Sequence, residues 1–258
     1  MATFVSYLNP YQFAFNGWTF GAGTNYTVVN VQGLAGLPPL RVQDDIRGYT
    51  DGSYSGRDFY DGRTVTIEMV ILGNSSNPAQ YYYNQLQQNL YPQQIGTPSQ
   101  LGAFQFETST SIGLKVMYGR VRKIDTTIDP EFTYGYIQAT VEFFFPDPRY
   151  YDYPSNGASG TSVSLTNNGW ATSCPVITIA SNPGTFTITD SSSNYMSFAA
   201  TSGTTVVVDL LQRTITQNGS PNRSILTNST GWLNIPPMST NVFSSGASMS
   251  VVYSDAYV

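Results

Sequence analysis

The chain has 258 residues, with 11 Lys and Arg against 16 Asp and Glu, a net charge of −5, no His and a single Cys. That length admits one large all-β domain or two smaller ones, and 40 % hydrophobic residues supply a core. The missing His removes the commonest general base and metal ligand, the lone Cys174 rules out an internal disulfide or thiolate metal cluster, and one small basic cluster (Lys115, Arg120, Arg122, Lys123) in an acidic chain argues against nucleic-acid binding.

Charged residues make up 10 % of the chain, against about 25 % in an ordinary soluble domain. Tyr (19) and Phe (14) are abundant, and Ser, Thr, Asn and Gly fill the polar positions. Such a surface suits a protein that works assembled, since interface cores are poor in charge and rich in aromatics. No apolar stretch approaches the roughly 20 residues of a membrane helix. Residues 1–30 lack the basic and apolar regions of a secretory signal, so neither membrane nor secretion is expected.

In chain order, the run from Phe13 to Phe20 reads as strand broken by the turn pair Asn16-Gly17. A second strand covers Asn25 to Val31. Residues 33–63 form a Gly-rich connection predicted to contain a long hairpin, and nine of the chain's 27 charges lie between Arg41 and Arg63. Thr64 to Leu72 is the clearest strand, with Val65, Ile67, Met69 and Ile71 on one face. Asn77-Pro78 predicts an N-cap and first helical residue. Ala79 to Leu90 follows without a breaker, with Tyr82, Leu86 and Leu90 at helix spacing, and Pro92 stops it. Strands resume at Ala103–Glu107, Leu114–Ile124 and Gly135–Phe145.

Prolines at 146 and 148 end the first domain, expected to span 1–152, and residues 153–160 read as linker. The rest, 153–258, holds five charges from residue 154 on: Asp190, Asp209, Arg213, Arg223 and Asp255. Short strands recur at 175–180, 184–189, 195–199, 204–209 and 213–216, with a type I′ signal at Asn218-Gly219, and 232–237 and 248–253 complete the series. Short strands at this spacing without a helix predict a β-sandwich.

Chemistry candidates are few. Asp44 and Asp45 are adjacent, so on an extended chain they point to opposite faces and make no acid/base pair. Arg41, Arg47 and Arg63 nearby are expected to form ion pairs with such acids. Asp51, Asp58, Asp61 and Glu68 could supply a glycosidase pair only if the fold set them across a cleft. The spacing of Asp44, Asp51, Asp58 and Asp61 matches no EF-hand loop. Gly21-Ala-Gly-Thr lacks the Lys and following helix of a phosphate loop. Trp18 and Trp232 read as core. Trp170, after Asn167-Asn168-Gly169, reads as exposed and is the candidate glycan contact. No catalytic residue, metal or cofactor is expected.

The order of motifs resembles siphophage distal tail proteins. In that family a Gly-Leu, Leu-Pro, Arg and Asp series precedes an Asp-Gly-x-Tyr and an Arg-x-Val-x-Ile-Glu. Here these read Gly33-Leu34, Leu37-Pro38, Leu40-Arg41, Asp44, Asp51-Gly52-Ser53-Tyr54 and Arg63 to Glu68. The segment from Phe143 to Tyr150, with Pro146-Asp147-Pro148 between them, resembles the family's close to the first domain. The segments 183–190, 206–209, 213–219 and 232–237 resemble its C-terminal sandwich. The resemblance implies a mainly β fold: an N-terminal β-sandwich or split-barrel-like ring-forming domain with one α-helix, then a galectin-like β-sandwich. It implies a non-enzymatic virion protein at the tail tip. Six copies would form a homo-hexameric ring joining the tail tube protein to the hub or tail-associated lysin protein. The tape measure protein and fibres or receptor-binding proteins are further expected partners, and DNA passes through the ring without specific binding. On that reading, Arg41, Asp44, Asp45, Arg47, Asp51, Arg57, Asp58 and Arg63 are candidates for the inter-subunit interface. The alternative is a carbohydrate-binding tail protein that recognises the host surface.

Overall fold

Apolar residues at every second position set the first sheet. The computed structural model describes residues 2–92, 101–107, 113–127 and 135–258, and divides into the units Met1–Tyr150 and Tyr151–Tyr257. The sequence puts the boundary at 152/153. Within the first unit the strands are β1 (Gln12–Phe15), β2 (Trp18–Gly21), β3 (Tyr26–Gln32), β4 (Leu40–Arg41), β5 (Asp45–Ile46), β6 (Ser53–Tyr54), β7 (Phe59–Tyr60), β8 (Arg63–Leu72), β9 (Gly102–Glu107), β10 (Lys115–Thr127) and β11 (Tyr136–Phe145). The hydrogen-bonded order is β2-β1-β9-β10-β11-β8-β3.

β8 pairs with β11 along its whole length, from Arg63↔Phe145 to Leu72↔Tyr136. Its odd-numbered residues are buried and its even-numbered ones are not, as expected when one face of a strand covers a core. β10 belongs to two leaves. Lys115 to Gly119 pair with β9, and Arg120 onward pairs with β11 after a bulge between Val121 and Lys123. Gly119 permits that bend, because a Cβ there would stand 2.5 Å from the Phe144 carbonyl oxygen. The bulge and bend fold the sheet onto itself. Aromatic rings from the two leaves then meet. Phe143 of β11 lies 5.3 Å from Phe15 and 6.5 Å from Phe20, ring to ring. The Asn16-Gly17 hairpin forms as read, with φ +49° and +83° and Phe15 opposite Trp18.

Helix α1 (Ala79–Asn89) closes one side of this core. Leu86 and Leu90 are fully buried, and Tyr82 and Tyr83 pack at the margin. Tyr26 donates its hydroxyl to the Tyr82 carbonyl at 3.1 Å. Its start differs from the expected cap. Pro78, with extended ψ, occupies the cap position and offers no side-chain bond. Asn77 instead belongs to a turn closed by Asn74, whose Oδ1 accepts the N–H groups of Ser76 and Asn77 at 3.0 and 2.8 Å. An Asx turn outcompetes the cap because it satisfies two donors before the helix begins.

β12 (Tyr150–Asp152) straddles the boundary, and the second unit contains β13 (Asn156–Asn167), β14 (Val176–Ile179), β15 (Thr185–Thr189), β16 (Tyr195–Ala199), β17 (Val206–Asp209), β18 (Thr214–Gln217), β19 (Ser220–Pro221), β20 (Leu226–Ser229), β21 (Ser239–Tyr253) and β22 (Ala256–Tyr257). The order is β19-β18-β17-β14-β21-β15-β16-β20, with β13 beside β21. One stretch of β21 pairs with β14 and another with β15, so this strand serves both leaves over a separate core. The segment read as linker is therefore corrected in part: residues 156–160 begin β13, paired from Asn156↔Tyr253. Gly and Ser hid that strand. Its pairing is set by backbone bonds to β21, and apolar alternation begins only at Val163 and Leu165. The segment 232–237, read as a strand, buries Leu233 and Ile235 but makes only an isolated bridge, Ser173↔Ile235.

Candidate functional site

The charged connection of the first unit is an arm made of two successive two-stranded ribbons. β4 pairs with β7 (Leu40↔Tyr60, Arg41↔Phe59) and β5 with β6 (Asp45↔Tyr54, Ile46↔Ser53). Gly33 starts it, at φ +80° and so close to β8 that a Cβ would meet the Thr64 carbonyl oxygen at 2.1 Å. Only Gly tolerates both conditions. The Asp44 carboxylate then accepts the Gly56 N–H at 3.0 Å and ties the two ribbons. Every residue from 39 to 61 is exposed. That includes Ile46 at 90 % and Tyr49 fully, together with Leu40, Val42, Tyr54 and Tyr60. A cluster of aliphatic and aromatic side chains in water, among charges, has the composition of an uncovered interface.

The arginines stack instead of pairing. Arg41 and Arg57 both lie over the Phe59 ring, at 5.7 and 5.4 Å from its centre, and Arg47 lies over Tyr54 at 5.0 Å. No ion pair joins them to the arm's carboxylates among the described residues. The expected ion pairs are thus corrected. The ribbon register sets Arg41 opposite Phe59, and guanidinium stacks on rings while its N–H edge stays hydrated. Asp45, Asp51 and Asp58 are exposed and project no side chain into a bond within the arm.

Arg63 leaves the candidate interface altogether. It is 1 % exposed. Its Nη1 donates to the carbonyls of Gly33, Leu34 and Gly36 at 3.1, 2.6 and 2.9 Å, and its Nε to Pro148 at 3.1 Å. The Tyr150 ring lies 5.9 Å away. Burial holds the guanidinium below the usual arginine range, opposed by Tyr150. Arg63 shares the parity of Val65, Ile67, Met69 and Ile71, so its inward direction was readable from strand alternation. Its role is to pin the root of the arm.

The remaining candidates do not converge on a catalytic centre. Asp51, Asp58 and Asp61 lie on the exposed arm, whereas Glu68 sits on the outward face of β8 and takes the Asn30 amide at 3.3 Å. Among the described residues no group of three or more His, Cys, Asp or Glu could hold a metal ion. In the second unit Trp170 is 58 % exposed, while Trp232 packs against the core with Arg223 over its ring at 5.6 Å. The aromatic partners of the arm arginines, Phe59 and Tyr54, were missed as site residues. Only the register of the ribbons brings them under the guanidinium groups.

No family model matches the sequence, and no curated protein matches it. Solved structures do share its fold. The crystal structure of the Dit protein of phage SPP1, described as a paradigm of the hub adsorption apparatus in phages infecting Gram-positive hosts, aligns with a TM-score of 0.71 over 96 % of this chain and 99 % of its own, at 14 % identity. The phage p2 baseplate in its activated conformation, with Sr and with Ca, contains a chain that aligns with a TM-score of 0.51 at 8 % identity, covering 94 % of this chain and 97 % of that one. The mainly β fold of this chain, with one α-helix among the described residues, is thus shared with SPP1 Dit and with a chain of the p2 baseplate.

Proposed function

We propose that this chain is a distal tail protein, a structural component of a bacteriophage tail tip. The observation that carries this reading is the end-to-end likeness: 96 % of this chain aligns with 99 % of SPP1 Dit at a TM-score of 0.71. In this reading six copies form a ring that joins the tail tube to the hub or tail-associated lysin protein and supports fibres or receptor-binding proteins. The ring works in the virion and transmits symmetry instead of catalysing a reaction. An acidic chain suits a passage for DNA, because an attractive wall would retain it.

The arm is the inter-subunit contact in this proposal. Its exposed Ile46, Tyr49 and Tyr54 supply apolar area, and Arg41, Arg47, Arg57, Asp44, Asp45, Asp51 and Asp58 supply complementary charge that favours one docking register. The unpaired backbone edges of so short a ribbon are available for the same contact.

Light scattering of the purified chain, with negative-stain images of the same peak, tests the ring. Six copies of a 28.2 kDa chain weigh about 169 kDa. Six-fold rings of that mass are the expected result. A monomer both alone and when mixed with the tail tube protein would overturn the ring.

A further inference from the structure

We propose that the arm of one copy docks at the root of its neighbour's arm, where Arg120 and Arg122 receive the arm's unpaired aspartates. This inference rests on the ring reading above and names the surface that meets the arm.

The one basic cluster of the sequence resolves into unlike parts. Lys115 is buried. Lys123 is bonded to Asp125 at 2.7 Å and has Glu142 opposite it on β11. Arg120 and Arg122 remain, and neither guanidinium has an ion pair or hydrogen bond among the described residues. Arg120 lies opposite Phe144 in the register of β10 with β11. The Arg122 guanidinium lies 3.4 Å from the centre of the same ring. The bulge between Val121 and Lys123 makes this possible, because the extra residue leaves Arg122 and Lys123 both exposed. A guanidinium stacked on a ring is held flat with its N–H edge in water, and that edge takes a carboxylate. A Cβ on Gly62 would stand 2.6 Å from the Phe144 ring, and Gly62 is where the arm returns to β8. The two cations therefore sit at the root of the arm.

The arm carries the complementary charge. Residues 39–61 hold three arginines and five aspartates. The arginines stack on Phe59 and Tyr54 and neutralise none of those acids. Asp44 and Asp61 accept the N–H groups of Gly56 and Gly62. Asp45, Asp51 and Asp58 bond to nothing among the described residues. The chain does not make the contact with itself, since every residue from 39 to 61 is exposed and none is bonded to Arg120 or Arg122. The occupant is a second copy. An arm that leaves one copy and lands at the root of the next is a heterologous contact, and such contacts repeat head to tail until they close a ring. Opposite charge then fixes where along the root the arm lands.

Carbodiimide coupling of rings assembled from equal parts of isotope-labelled and unlabelled chain tests the contact. Arg122→Lys keeps the cation and supplies the amine that the reagent joins to a carboxylate, and Arg120→Lys does the same one position pair away. Mass spectrometry is expected to find these amines joined to Asp45, Asp51 or Asp58 in peptides that combine a labelled with an unlabelled chain. Arg122→Glu, with unchanged thermal melting, is expected to need about tenfold higher concentration to assemble, read by light scattering. Rings that give no such product between chains, or assembly of Arg122→Glu at the usual concentration, overturn the docking and leave the ring standing. A chain that stays monomeric, alone and with the tail tube protein, overturns both. Retention of duplex DNA that Arg122→Glu abolishes while assembly is unchanged assigns the two cations to DNA and overturns the docking.

Discussion

At the residue scale, Arg63 pins the root of the arm. One guanidinium satisfies four carbonyls at the point where the arm leaves the sheet. Arg63→Leu keeps the volume roughly but leaves those carbonyls without donors. A loss of about 3 kcal/mol in chemical denaturation is expected, with the arm's root the first segment to exchange its amide hydrogens. Tyr26 gives a pH signature. Burial, then the neighbouring Tyr82 and Tyr81, push its hydroxyl up to about 12, above the unfolded value of about 10. The folded state therefore keeps a proton that the unfolded state releases. Stability from this group is intact below about pH 10 and falls as pH rises toward about 12. Tyr26→Phe should flatten that alkaline limb, read by urea denaturation at about pH 9 and about pH 11.

At the element scale, the arm and β8 contrast. β8 is held on both edges, by β3 and β11, and its inward face is filled by Val65, Ile67, Met69 and Ile71. The arm has two-residue pairings and no core of its own. A two-stranded ribbon without a core is marginal alone, so its order depends on the stacked arginines and on the Asp44–Gly56 tie. Arg41→Glu replaces a cation over Phe59 by an anion. The expected outcome is a folded chain with unchanged melting that needs about tenfold higher concentration to assemble, measured by light scattering. Rings at the usual concentration would mean that the arm charges are only solvated. Helix α1 was legible throughout its apolar face, since Leu86 and Leu90 recur at helical spacing. Its first residue was not, because an Asn that can cap a helix can equally close a turn, and the choice lay with the two free N–H groups after Asn74.

At the scale of the whole molecule, charge and apolar exposure are unevenly spread. Eight of the 27 charges lie in the arm, with Arg63 at its root, and five lie beyond residue 153, so charge is concentrated in the first unit and the second offers hydroxyls, amides and an exposed Trp. The strands marked by apolar alternation, the helix, both Asn-Gly turns and the mainly β class were determined by the sequence alone. The reason is that local alternation and positive-φ turn chemistry need no distant partner. Three features were decided only by tertiary structure. β13 begins within a Gly- and Ser-rich segment because β21 supplies its hydrogen bonds. The arm arginines stack on Phe59 and Tyr54 because ribbon register brings rings and guanidinium groups together. Arg63 is buried because residues 33–36 and 148 converge on it from opposite ends of the unit. Each depends on groups remote in sequence, and no local pattern encodes which of them will meet.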